Sequence, residues 1–194
     1  MLTFITDLGD AARLVPASIL LITYLAYLRS TRAAVILVST LALCAGTTLV
    51  LKVGLNACGL DAGTFDLRSP SGHASLSTTF YSCFALMFAV DRGAYTRALL
   101  LAGSAALIAA IAISRILIEA HTVSEVALGL LVGLACVGWF GVRYFRHPPL
   151  RLPWPPILFG ASVVLVATQG WHLSPEDAIR QLAALVRAGI IACT

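Results

Sequence analysis

The chain has 194 residues, of which 59% are hydrophobic and only 11% are charged. Soluble domains carry about 25% charged residues, so a soluble globular protein is excluded and a single integral membrane domain over residues 1–194 is expected. The net charge of +4 comes from scattered arginines with no basic run and no interleaved aromatics, which excludes a nucleic-acid binder.

Met1 to Asp10 carries Asp7 and Asp10 and no cation, the wrong sign for the start of a secretory leader. Six apolar spans follow, at about Leu14–Leu28, Ala33–Leu51, Ala74–Val90, Ala98–Ile113, Val123–Val142 and Pro156–Trp171. The expected fold is an all-α polytopic bundle of about six transmembrane helices. Pro16 falls in the first turn of the first span, where proline is tolerated. Prolines at 148, 149, 153, 155 and 156 make the loop before the sixth span non-helical. Trp154 and Trp171 suit opposite interfacial belts. Ser174-Pro175-Glu176-Asp177 then starts an amphipathic helix, with Leu182, Leu185, Val186 and Ile190 on its apolar face, lying on the membrane surface.

Short loops on one side hold Arg29, Arg32, Arg92, Arg97, Arg143, Arg146 and Arg151; longer loops on the other hold Lys52, Arg68 and Arg115. The positive-inside rule puts the arginine-rich set in the cytoplasm and both termini outside, in a bacterium the periplasm. Cys44, Cys83 and Cys136 fall in apolar runs and read as packing residues. Cys58 and Cys193 share the outward face, and whether they pair stays open. No zinc spacing is present, and no metal or other cofactor is expected.

The outward face collects the polar residues that apolar surroundings make costly. Ser114-Arg115 and His121 to Glu125 lie between two apolar runs. At i, i+4, Glu125 can accept the Nδ1–H of His121 if the helix begins near His121, leaving Nε2 free as a nucleophile or base. The plain alternative is a polar turn in which Arg115 pairs with Glu119 or Glu125. In Pro70-Ser71-Gly72-His73, Ser71 can cap the next helix while the N–H groups of Gly72 and His73 face an anion. Lys52, the only lysine of the chain, ends the second span.

These residues resemble the motifs of the type 2 phosphatidic acid phosphatase (PAP2) family, which shares its active site with vanadium haloperoxidases. That family carries a lysine followed six residues on by Arg-Pro, then Pro-Ser-Gly-His, then Ser-Arg with a His six positions after the Arg and an Asp four further. The second motif is complete at Pro70–His73, and the third is Ser114-Arg115, His121 and Glu125 in place of the Asp. The first is broken: Lys52 is present, but Gly59-Leu60 stand where Arg-Pro should. Arg68 is the candidate substitute cation.

The resemblance implies a membrane lipid phosphatase. Lys52, Arg68, Ser71, Gly72 and Arg115 would bind phosphate, His121 would attack it, Glu125 would hold His121, and His73 would serve as acid and base. The partner is then a lipid delivered by the membrane. Undecaprenyl pyrophosphate, phosphatidic acid, phosphatidylglycerol phosphate and a lipid A phosphate all fit; likeness to the small bacterial members favours the polyprenyl pyrophosphate. A phosphotransferase using the same phosphohistidine, and a non-catalytic protein that binds or transports anionic lipid, are the competing readings.

Overall fold

The computed structural model describes residues 2–58, 69–90, 92–147, 152–153, 155–170 and the positions 179, 181 and 184. These residues form helices α1 (Leu2–Asp7), α2 (Ala11–Tyr27), α3 (Thr31–Cys58), α4 (Gly72–Ala89), α5 (Ala94–Leu117), α6 (Val123–Tyr144) and α7 (Pro155–Ala167). No strand occurs among the described residues, and the fold is the expected all-α membrane bundle. By length and composition α3, α5 and α6 can each cross a bilayer, and α2 and α7 are shorter apolar helices. The C-terminal amphipathic helix, Arg68, the Cys58–Cys193 pairing and both interfacial tryptophans fall outside what the described residues cover.

A helix lies in each expected apolar stretch, with ends moved for identifiable reasons, and Trp171 at the end of the sixth lies outside the described residues. α2 starts at Ala11 rather than Leu14, because Asp10 is its N-cap and accepts the Ala12 N–H at 2.8 Å. Pro16 is therefore inside the helix, not in its first turn, and removes one N–H from the ladder. α3 continues past Lys52 to Cys58, so Lys52 lies within a helix instead of ending one. α5 continues to Leu117, which puts Ser114 and Arg115 on its last turn. α1 was not expected; its Thr6 hydroxyl donates to the Ser114 hydroxyl at 2.7 Å, fixing the N-terminal segment to the C-terminal end of α5.

α4 is the central helix, with α3, α5 and α6 packed on it and α2 beside it. Small residues let the backbones approach. A Cβ at Gly129 would lie 2.6 Å from the Ser71 carbonyl oxygen, and one at Gly133 would lie 2.7 Å from Thr78 Cβ. Between α3 and α4 the contact is polar and self-satisfied: Thr48 and Ser75 hydroxyls are 2.9 Å apart, and Thr79 donates to Cys44 Sγ at 3.1 Å. Cys44, Cys83 and Cys136 are buried, as packing residues should be. Leu21, Leu25, Leu37, Phe88 and Phe140 belong to the main buried core of the bundle. α7 runs antiparallel to α2, and the Tyr24 hydroxyl donates to the Pro153 carbonyl at 3.2 Å.

Candidate active site

The C-terminal ends of α3 and α5 and the N-terminal ends of α4 and α6 bring the motif residues together. Ser71 is the N-cap of α4, and its hydroxyl accepts the Ala74 N–H at 3.4 Å. Gly72 and His73 are the first two helical residues, where N–H groups have no intrahelical acceptor. Lys52 is 4% exposed, and its Cε would stand 3.9 Å from a Cβ placed on Gly72. The ammonium stem of α3 therefore crosses the start of α4, where an anion is favoured.

α6 is introduced by a capping box. The Thr122 hydroxyl accepts the Glu125 N–H at 3.3 Å, and Glu125 Oε2 accepts the Thr122 N–H at 3.2 Å. His121 precedes this N-cap instead of lying in the first turn, yet the expected contact forms: Nδ1 and Glu125 Oε2 are 2.8 Å apart. Glu125 Oε1 accepts the Ser69 N–H at 2.8 Å, and its main-chain carbonyl accepts the Ser71 N–H at 3.0 Å. One residue thus holds the ring of His121, caps its own helix and fixes the loop before α4.

The turn after α5 places His121 near Arg115. The Arg115 carbonyl accepts N–H bonds from Ala120 at 3.1 Å and His121 at 3.3 Å, closing the helix in a Schellman-type end. Glu119 takes the left-handed position of that end, with φ of 56°, and is exposed. Burial holds the His121 pKa below its ordinary value of 6.5; the Arg115 and Lys52 cations add to this, and the Glu125 carboxylate opposes it. The ring is neutral near pH 7, with Nδ1–H donated to Glu125 and Nε2 left as the basic nitrogen.

Lys52, Ser71, Gly72, Arg115, His121 and Glu125 thus come together at one end of the bundle. His73 is on the first turn of α4, and its Nε2 lies 3.5 Å from Asp10 Oδ2. The sequence reading took Asp10 only as an acid near the N-terminus and left out Arg13, which begins α2 at this same end. Arg13 adds a cation at this end of the bundle. The signal that could have found both was an Asp, Ala, Ala, Arg start to an apolar span, a capped helix with a charge inside it. His147 is exposed at the opposite end, and Phe84 and Phe88 stack within α4 at 4.5 Å, as packing residues do.

Residues 33–148 match the family model described as the PAP2 superfamily, more than half of the chain. The match runs from α3 through α6 and includes all the motif residues, while α1, α2 and α7 lie outside it. A Klebsiella pneumoniae protein described as an uncharacterized 22.5 kDa protein in the cps region is 27% identical over 131 residues. The aligned stretch covers 66% of this chain and 63% of that protein, so the chain spans less than two thirds of that relative's length. No solved structure matches the chain.

Proposed function

The chain belongs to the PAP2 superfamily, and on that premise we propose that it is a membrane lipid phosphatase working through a phosphohistidine. The observation that carries this reading is the Glu125–His121 contact of 2.8 Å, with Lys52 and Arg115 acting on the same ring. A carboxylate on Nδ1 fixes the tautomer, and the two cations supply charge for a transferring phosphoryl group.

In this mechanism Lys52, Arg115, the Ser71 hydroxyl and the Gly72 N–H hold the phosphate oxygens, with Arg68 as a further cation. His121 Nε2 forms a bond to phosphorus as the bond to the leaving oxygen breaks. His73 gives that oxygen a proton. Water then attacks the phosphohistidine, His73 takes a proton from it, and phosphate leaves with His121 restored. Glu125 stabilises the imidazolium that forms, as the Asp does in a serine-protease triad. The substrate is an amphiphilic phosphate or pyrophosphate ester delivered by the membrane. The site faces the periplasm of a bacterial inner membrane, and the whole chain acts as one domain.

The test is phosphate release by detergent-purified protein from a panel of lipid phosphates and pyrophosphates, with EDTA present and the His121→Ala protein beside it. Release that survives EDTA and disappears in the mutant is the expected result. Phosphate appearing on a second lipid instead of in solution would turn the reading to a phosphotransferase. No release from any lipid by folded protein would overturn both.

A further inference from the structure

Asp10 has two contacts, one on each carboxylate oxygen. Oδ1 accepts the Ala12 N–H at 2.8 Å and caps α2. Oδ2 lies 3.5 Å from His73 Nε2 at the start of α4. The residue is buried, only 7% exposed. Capping asks for a side-chain oxygen, and Ser or Asn supplies one about as well as Asp. A buried carboxylate is costly unless its oxygens meet donors. The cap alone therefore does not account for a charge at this position, and the imidazole N–H opposite Oδ2 does.

The turn between α1 and α2 is pinned against the helices that carry the site. The Thr6 hydroxyl donates to the Ser114 hydroxyl at 2.7 Å on α5, and the Leu8 carbonyl accepts the Tyr81 hydroxyl at 2.8 Å on α4. Within the turn the Gly9 N–H donates to the Thr6 carbonyl at 2.9 Å, and the Asp10 N–H to the Asp7 carbonyl at 3.1 Å. Gly9 allows the close approach: a Cβ there would lie 2.7 Å from Ile111 Cγ2 and 3.5 Å from His73 Cβ. Asp10 follows directly, so its carboxylate is delivered to the His73 ring by a fixed backbone. This segment precedes residues 33–148, so none of the family motifs includes Asp10.

Resting on the phosphatase reading above, we infer that Asp10 is a positioning residue for His73: Oδ2 accepts the Nε2–H, and Nδ1 is left as the nitrogen that moves the proton. Asp10 itself touches neither the phosphate nor the water. When the bond from phosphorus to the leaving oxygen breaks, its electron pair stays on that oxygen and the Nδ1 proton goes to it. When water attacks the phosphohistidine, Nδ1 takes a proton back, and the Nε2–H stays with Asp10 throughout. The 3.5 Å separation is longer than the about 2.9 Å of a formed bond. It closes with a small turn of the ring, as contacts of this kind do when substrate is bound. Each histidine then has its own carboxylate, on opposite ring nitrogens: Glu125 at Nδ1 of His121 and Asp10 at Nε2 of His73.

The experiment uses the full chain in detergent micelles and two variants that keep the cap, Asp10→Asn and Asp10→Ser. In Asp10→Asn the amide oxygen takes the Ala12 N–H, so the NH2 group faces Nε2 and drives the ring proton to Nδ1. An alkyl phosphate and a nitrophenyl phosphate of equal chain length are compared in single-turnover phosphorylation of the protein. The alkoxide needs a proton to leave, and the nitrophenolate does not. We expect Asp10→Asn to slow the alkyl ester about a hundredfold and the nitrophenyl ester by no more than about threefold, with Tm near the wild-type value. Asp10→Ser, too short to reach the ring, should show the same split. Equal losses with both esters, the mark of a structural role, would overturn the inference, and so would no loss with either. The His73 tautomer is read without turnover from ring nitrogen shifts of 15N-histidine protein in alkaline buffer, assigned with His73→Gln. Nε2–H is expected in the wild-type protein and Nδ1–H in Asp10→Asn; a ring that stays Nε2–H in the variant would overturn the contact. If the wild-type protein uses neither ester, the phosphatase reading fails and the role in proton transfer with it, while the tautomer change alone would still show that Asp10 holds the ring.

Discussion

The Ser69 N–H donates to Glu125 Oε1 at 2.8 Å, joining two motifs that are 56 residues apart. The same carboxylate reaches His121 through Oε2, so the loop that precedes α4 and the proposed nucleophile share one anchor. Glu125→Gln keeps the shape and one carbonyl acceptor but cannot serve both sides. The expected result is a fall in kcat of about a thousandfold, from loss of the correct His121 tautomer, with a Tm loss smaller than that of Glu125→Ala because one oxygen acceptor is kept. Glu125→Ala removes the capping box as well, which costs about 1 kcal/mol, and leaves buried N–H groups without acceptors. Thermal unfolding in detergent beside the kcat measurement separates the two effects; equal Tm losses in both variants would contradict this account.

The pH profile should carry the environment of His121. Burial, Arg115 and Lys52 lower its pKa from 6.5. In the proposed mechanism the neutral ring is the nucleophile, so kcat/KM should rise with pH through a value below 6.5 and be on its plateau by pH 7. The sign for stability is the same. A histidine whose folded pKa is depressed contributes stability above its unfolded pKa, and that contribution is lost as pH falls through the folded value. An ascending limb above 6.5, abolished by His121→Ala in single-turnover phosphorylation, would show that the carboxylate outweighs burial.

Gly129 should be as intolerant as the motif residues. A Cβ there would lie 2.6 Å from the Ser71 carbonyl oxygen and 3.1 Å from Ala74 Cβ, both on or beside rigid helix start. Gly129→Ala must push α4 from α6, moving the Ser71–Gly72 donors proposed to hold the phosphate. We expect at least a tenfold loss of kcat/KM, since small misplacements of binding groups cost about a hundredfold, together with a lower Tm. Gly138, on the same helix, has nothing within 4 Å, and Gly138→Ala should be neutral or gain up to about 1 kcal/mol. Similar effects at both positions would mean that helix propensity, not the close approach, governs α6.

Much of this arrangement is legible in residue order because its physics is local. Ser71 caps because its side chain follows a proline and precedes a helix, and Glu125 reaches back to Thr122 because the Thr-x-x-Glu spacing allows it. His121 and Glu125 meet across a helix start for the same local reason, although His121 is outside the helix. Glu125, at the site of the family's usual Asp, is longer by one methylene, and the capping box uses that length. What the sequence does not display is contact between distant segments. Asp10 beside His73 and Thr6 on Ser114 both depend on how α1 and α2 pack on α4 and α5. Periodicity and loop charges carry no information on that packing.

The turn after α5 offers a test of how His121 is placed. Glu119 has φ of 56°, a conformation that costs a non-glycine residue about 1 kcal/mol, and it does so where helix ends usually have glycine. Its side chain is exposed, so the backbone alone fixes its contribution. Glu119→Gly should therefore raise stability by about 1 kcal/mol, offset in part by the added freedom of the unfolded chain, and leave kcat near its wild-type value. Glu119→Val puts a β-branched residue in the same conformation, which is a stronger misfit. It should loosen the pair of N–H bonds from Ala120 and His121 to the Arg115 carbonyl, and with them the position of His121. The expected outcome is a lower Tm and a lower kcat for Glu119→Val at unchanged charge state of the site. If instead the valine variant keeps full activity, the Schellman-type end is not what sets the nucleophile, and the Glu125 carboxylate alone suffices to hold it.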